Sequence, residues 1–232
     1  MLRDFNEVRL ASGLVKFARF WCDYPRKEAV LNRSSEAGKS SVIEALRDAT
    51  RFIHENLGSS PSMSRLFASD YTLSEYRLHL GRLLGFFEPL ESAAMNAAER
   101  DDSACLLERS SDLRDDLRIM GSTASDIDAI ERCRRLPPIP PGGLRGCAYV
   151  ILGSMLGGKI IAKQLRGAFG QNASMRFYGD GDGRFEAAWA SFRSDLEENG
   201  KDDVEAICAT AVGVFDAYAQ WFSEPLIRTG GC

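Results

Sequence analysis

The chain contains two imidazoles, His54 and His79, so any imidazole-based acid–base or metal chemistry must use one of them. A second unusual feature stands far along the sequence. It is the run Tyr149-Val150-Ile151-Leu152-Gly153-Ser154-Met155-Leu156-Gly157-Gly158, continued by Lys159-Ile160-Ile161-Ala162-Lys163-Gln164-Leu165. The pattern is helical, yet it holds three glycines, each of which weakens a helix interior by about 1 kcal/mol relative to Ala. A helix keeps such residues where something must approach its backbone closely. Gly153 and Gly157 are four apart and share a face, with Gly146, Tyr149, Ile160 and Gln164 on or near it. That face is a notched, mostly apolar groove, suited to a neighbouring helix or to a flat ligand. The pattern alone leaves both open.

His54 has suggestive company. Arg47 precedes it by two helical turns, roughly 10 Å at 1.5 Å per residue, and Thr50 lies between them on the same face. An imidazole metal ligand with a cation two turns away suits a flat macrocycle that carries one metal and peripheral carboxylates. The bland alternatives are a packed helix histidine and a solvated surface arginine. His79 lies beside Tyr76 and Leu83 and reads as a core residue.

The elements that must position these groups are helices; there is no internal repeat and no strand alternation. Ser41-Val42-Ile43-Glu44 is a capping box that opens a helix with Val42, Ile43, Leu46, Thr50, Ile53, His54 and Leu57 along one side. Gly58 ends it and Pro61 follows. Thr72-Leu73-Ser74-Glu75 is a second capping box, opening a long helix to about Ala98 that buries Tyr76, Leu80, Leu83, Phe87 and Leu90. Further helices are predicted over 103–119 (stopped by Gly121), 125–134, 143–167, 184–198 and 201–223. Pro137-Pro138-Ile139-Pro140-Pro141 forms a rigid connector. Gly179 to Gly183 is a loop. The expected organisation is an N-terminal extension over 1–40, with one helix over 5–21, then a single all-α domain over 41–225 and a tail over 226–232.

Bulk properties agree with one sizeable domain. The 232 residues are 44% hydrophobic and 27% charged, with a net charge of −4 and a pI near 5.4. No nucleic-acid footprint is visible, and the short basic run Arg132-Cys133-Arg134-Arg135 reads as solvated surface. Arg145, Lys159, Lys163 and Arg166 interrupt the glycine-containing run and argue against a membrane span. The six cysteines form no C-x-x-C pair and no zinc spacing, which fits a reducing compartment. Residues 1–20 lack a signal-peptide core, so a cytoplasmic location is expected. Gly38-Lys39-Ser40 fails as a phosphate loop because Arg33 stands where its first glycine belongs. Asp180 and Asp182 fail as a calcium loop because Phe185 and Ser191 occupy the positions of the essential Gly and Glu.

An imidazole on one side and a notched glycine helix on the other is the layout of a haem slot. Leu46-Arg47-Asp48-Ala49-Thr50-Arg51-Phe52-Ile53-His54 resembles the proximal helix of the haem oxygenase family, and Gly153-Ser154-Met155-Leu156-Gly157-Gly158 resembles its distal helix. The segment from Glu75-Tyr76-Arg77 through Gly85-Phe86-Phe87-Glu88-Pro89-Leu90-Glu91 resembles the long helix between them. The similarity covers about 42–222 and is nearest in flavour to the bacterial, bacteriophytochrome-associated branch. It implies a haem oxygenase-like helical bundle that takes haem b as substrate and cofactor, cleaving it with oxygen and electrons to biliverdin, carbon monoxide and ferrous iron. It implies His54 as iron ligand, Gly153, Ser154 and Gly157 at the reacting face, and Arg47, Thr50, Gly153, Gly157 and Gly158 as further haem contacts. Arg184 and Arg193 are candidate propionate partners. Implied partners are a ferredoxin or flavin reductase as electron donor and a bacteriophytochrome as acceptor of biliverdin. The sequence departs from the pattern at Ser154, where the best-known branch has Asp, and at Gly58, where the family often has Glu. Two alternatives stay open: a haem-binding module without turnover, and a di-iron oxygenase drawing on Glu44, Glu75, His79, Glu88 and Glu91.

Overall fold

Ser41 and Thr72 each begin a helix by the reciprocal capping that their sequences predict. The Ser41 hydroxyl accepts the Glu44 N–H (3.3 Å) while the Glu44 carboxylate accepts the Ser41 N–H (3.2 Å). Thr72 and Glu75 repeat the arrangement at 3.2 and 2.9 Å. The computed structural model describes residues 41–98, 108–179 and 184–223. The predicted extension over 1–40 with its helix over 5–21, the start of the 103–119 helix, most of the 179–183 loop and the 226–232 tail lie outside the described residues.

In chain order the helices are α1 (Val42–Gly58), α2 (Pro61–Leu66), α3 (Leu73–Ala98), α4 (Ser110–Ile119), α5 (Ala124–Asp128), α6 (Leu144–Phe169), α7 (Arg184–Asn199) and α8 (Val204–Ser223), with a 3₁₀ turn at Gly170–Asn172. No strand occurs among the described residues, and the fold is all-α. Two predictions are corrected. The 125–134 helix stops at Asp128, and the chain from there to α6 is irregular. The short α2, begun by the Ser60 cap and Pro61, was not expected.

The helix α6 is the centre. It packs on α3, α7 and α8, and α8 also covers α1. By length and composition the stretch Leu144–Asn172 could cross a membrane, contrary to the sequence expectation, but 82% of its most apolar window is buried within the protein, as a core helix is. Gly146 allows the α6–α8 crossing: a Cβ there would lie 2.1 Å from the Ile207 carbonyl oxygen. The bland reading of the small residues therefore holds at Gly146.

A similar close approach fixes the irregular connector against α3. Pro89 lacks an N–H, so the Gly85 carbonyl four residues earlier has no helical donor. The Cys133 N–H supplies one at 2.8 Å, and a Cβ on Gly85 would stand 2.3 Å from the Glu131 carbonyl oxygen. Arg132, expected to be solvated, instead bridges this connector to Glu88 on α3. Helix α1 is tied down at its start by Glu197 of α7, whose carboxylate accepts the N–H groups of Val42 and Ile43 at 3.3 and 3.2 Å. Arg145 of α6 grips Asp195 of the same helix at 2.8 Å. Thus α7 sets the spacing between α1 and α6.

Candidate functional site

Between α1 and α6 lies a cavity. His54 and Leu57 enter it from α1, Met63 from α2, Leu83 and Phe87 from α3, and Phe215 and Tyr218 from α8. Helix α6 contributes Val150, Ser154, Gly157 and Ile161, and the segment after the 3₁₀ turn contributes Phe177 and Tyr178. The lining is largely apolar, with few polar groups at definite places, as small-molecule sites are.

The stripe on α6 corrects the expected face. Val150, Ser154, Gly157 and Ile161 follow the 4-3-4 spacing of one helical side, so Ser154 and Gly157 face the cavity together. Gly153 is buried one position away and is not among the lining residues. Tyr149 packs on Trp189 of α7, with ring centroids 6.1 Å apart, Ile160 is half-buried, and Gln164 is exposed. Gly158 serves the wall rather than the cavity: a Cβ there would lie 3.0 Å from the Tyr178 carbonyl oxygen.

His54 sits on the opposite side, its ring edge-on to Phe215 at 6.0 Å. Burial pulls its pKa down to about 4, so at neutral pH the imidazole is uncharged, the form that binds metals. Thr50 does not reach the cavity; its hydroxyl donates to the Leu46 carbonyl at 2.7 Å within its own helix. Ser154 behaves likewise, donating to the Ile151 carbonyl at 2.7 Å while keeping its acceptor lone pairs. Arg47 lies outside the lining residues, near Tyr149 and Arg193, which act on it electrostatically. One guanidinium nitrogen, Nη2, is buried without a hydrogen-bond partner. A carboxylate would satisfy that nitrogen and the repulsion between the two arginines. Nothing is described of the Arg184 side chain.

The sequence reading missed the device that holds the Phe177–Tyr178 wall. Asp116 of α4 is fully buried and accepts the N–H groups of Arg176 and Phe177, each at 2.9 Å, and the Ser174 hydroxyl at 2.5 Å. Arg109, paired with Asp112 at 2.7 Å, donates to the Phe177 carbonyl and stacks over the Phe177 ring at 4.8 Å. Glu91 of α3 accepts the N–H groups of Arg109 and Ser110 at 2.6 and 3.0 Å, supplying the N-terminal cap that α4 lacks locally. Tyr76 adds a bond from its hydroxyl to the Ser174 carbonyl at 2.8 Å. In sequence these carboxylates look like an ordinary solvated helix face, and no spacing marks them as buried.

The di-iron alternative meets a contrary arrangement. Glu44 serves the Ser41 cap, Glu75 binds Arg65 (2.8 Å), Glu88 binds Arg114 (2.5 Å), and Glu91 caps α4. Among the described residues no three His, Cys, Asp or Glu side chains converge on a metal position.

No individual curated protein matches the chain significantly. The sequence model of the Heme oxygenase family, by contrast, matches residues 40–224. That span takes in every helix among the described residues and every residue lining the cavity, and the chain belongs to the haem oxygenase family.

Proposed function

We propose that the protein is a biliverdin-producing haem oxygenase acting in the cytoplasm, with haem b as substrate and cofactor. The observation that carries this reading is the shared cavity: a neutral His54 on one side and the Ser154–Gly157 stripe of α6 on the other, in a largely apolar enclosure. Bound haem supplies iron that activates oxygen against its own ring, yielding biliverdin, carbon monoxide and ferrous iron when electrons are provided.

The protein's part is orientation and polarity. His54 would hold the haem iron through its neutral imidazole. Gly157 keeps side-chain bulk off the cavity. Ser154 offers a hydroxyl on the α6 side of the cavity; turning it from the Ile151 carbonyl would let it donate to a water or to the substrate. Arg47, with its unpaired Nη2, is suited to a propionate, and Arg193 stands near enough to share the anion's charge. Phe177, Phe87 and Phe215 exclude water. A ferredoxin or flavin reductase would supply the electrons, and a bacteriophytochrome would take the product.

One observation favours a second reading, a haem-binding protein without turnover: the Ser154 proton is committed to its own helix. An absorption spectrum of the protein with one equivalent of haem, before and after reductant in air, separates the two. Decay of a histidine-ligated band into the broad red absorption of biliverdin supports the enzyme. A stable haem spectrum with an active reductase present supports the carrier. Failure to bind haem removes both.

A further inference from the structure

The cavity wall contains a tyrosine–histidine pair that neither haem ligation nor the Ser154 stripe uses. The Tyr178 ring lines the cavity, and its hydroxyl lies 2.5 Å from Nε2 of His79. The two rings are nearly parallel, 12° apart, with centroids at 6.2 Å. His79 also lines a second groove, at the surface, with Arg65, Glu75, Leu78 and Phe222. The imidazole therefore stands between the cavity wall and the protein surface.

The chemistry of such a pair is specific. Burial pushes the Tyr178 phenol well above its ordinary pKa and the His79 imidazole down to about 4. Both are neutral at physiological pH, so the phenol keeps its proton and the imidazole has a lone pair to receive it. A phenol is hard to oxidise when its proton has nowhere to go. With a base in a short hydrogen bond, electron and proton can leave together.

We propose that Tyr178 is a redox-active tyrosine and His79 its proton acceptor, so that the pair drains stray one-electron oxidants from the cavity toward the surface groove. The proposal rests on the reading of the cavity as a site of oxidative chemistry. The oxidant is a one-electron acceptor formed there from peroxide. It takes one electron from Tyr178; the phenolic O–H bond breaks, an N–H bond forms at Nε2 of His79, and a neutral tyrosyl radical is left beside an imidazolium. A small reductant of the thiol or ascorbate class, arriving in the groove, returns the electron, and the proton goes back to the phenolic oxygen.

The test uses rapid-freeze electron paramagnetic resonance on two samples. One is the haem-free protein oxidised by hexachloroiridate(IV); the other is the haem-loaded protein treated with hydrogen peroxide. Tyr178→Phe keeps the ring and removes the hydroxyl; His79→Gln keeps a hydrogen-bonding group but cannot take the proton. Circular dichroism checks the fold of both. The expected result is a tyrosyl radical reduced at least fivefold by Tyr178→Phe in both samples. Because glutamine cannot accept the phenolic proton, the yield of that radical should also fall at least fivefold in His79→Gln. Equal radical yields from wild type and Tyr178→Phe in both samples overturn the proposal, even if haem is bound and degraded normally. A Tyr178-dependent radical in the haem-free protein, with no haem binding, sinks the haem oxygenase reading and leaves the pair standing.

Discussion

Asp116 holds Phe177 across 61 residues of sequence: its carboxylate accepts the Phe177 N–H at 2.9 Å from inside the core. Together with the Arg176 N–H and the Ser174 hydroxyl, this makes three donors on one buried acid. Each bond to a charged buried group contributes about 1.5–3 kcal/mol, and leaving the donors unpaired costs more than simple loss of contact. Asp116→Ala should destabilise the protein by about 3 kcal/mol or more and loosen the Phe177–Tyr178 wall. Urea unfolding should show the first effect, and weakened haem binding the second. Asp116→Asn keeps an acceptor and should fall between. A wild-type unfolding midpoint in Asp116→Ala would show that this segment is held from elsewhere.

His54 and Phe215 meet edge to face, and neither the ring contact nor the helix requires a basic nitrogen there. His54→Ala should therefore leave the fold near wild-type stability while abolishing the histidine-ligated haem spectrum. Free imidazole added at millimolar levels should occupy the vacated space and restore that spectrum. An unaltered spectrum in the variant would assign the iron to another ligand.

Much of this arrangement is legible in the sequence because it rests on local signals. Ser41–Glu44 and Thr72–Glu75 state where α1 and α3 begin, and the 3.6-residue pattern states which faces are buried. His54 stands out because only two histidines exist. What stays hidden is non-local. The capping of α4 by Glu91 and the clamping of the Phe177 segment by Asp116 join residues 18 and 61 positions apart, and an acid reads as surface until the fold buries it. Which side of α6 faces the cavity is also set by packing rather than by glycine spacing. Glycine spacing put Gly153 with Gly157, whereas the observed stripe runs through Ser154, because the glycines on α6 have different tasks. Gly146 admits α8 and Gly158 admits the Tyr178 backbone, while Gly157 borders the cavity.

Those separate tasks can be told apart by adding one methyl group. Near the end of α6, a Cβ on Gly167 would meet nothing within 4 Å, so Gly167→Ala should raise stability by the helix propensity difference, about 1 kcal/mol. Gly158→Ala gains the same propensity but presses a Cβ to 3.0 Å from the Tyr178 carbonyl. That backbone is braced by Asp116 and Arg109 through the neighbouring Phe177 and cannot easily retreat, so the net effect should be destabilising. Gly146→Ala, with its Cβ at 2.1 Å from the Ile207 carbonyl, should be the worst of the three. Melting temperatures in the order Gly167→Ala, wild type, Gly158→Ala, Gly146→Ala would support these assignments, and a stabilised Gly146→Ala would contradict the α6–α8 crossing.

Acid should act on the same site through its imidazoles. The pKa values of His54 and His79 both fall to about 4 on burial, from an ordinary 6.5. Between those values the unfolded chain binds protons that the folded protein refuses, so stability rises with pH across that window. The contribution is fully present above about pH 6.5 and is lost as pH falls toward 4, at most on the order of 3 kcal/mol for each imidazole at 1.36 kcal/mol per unit. Asp116 and Glu91, whose pKa values burial raises, work in the opposite sense in the carboxylate range. The histidine share is therefore read by difference. Urea unfolding of wild type and His79→Gln at pH 7.5, 6.5, 5.5 and 4.5 should give a shallower loss in the variant, with the two curves converging as pH falls. Parallel curves would mean that His79 is protonated equally in both states and is not the neutral partner of Tyr178.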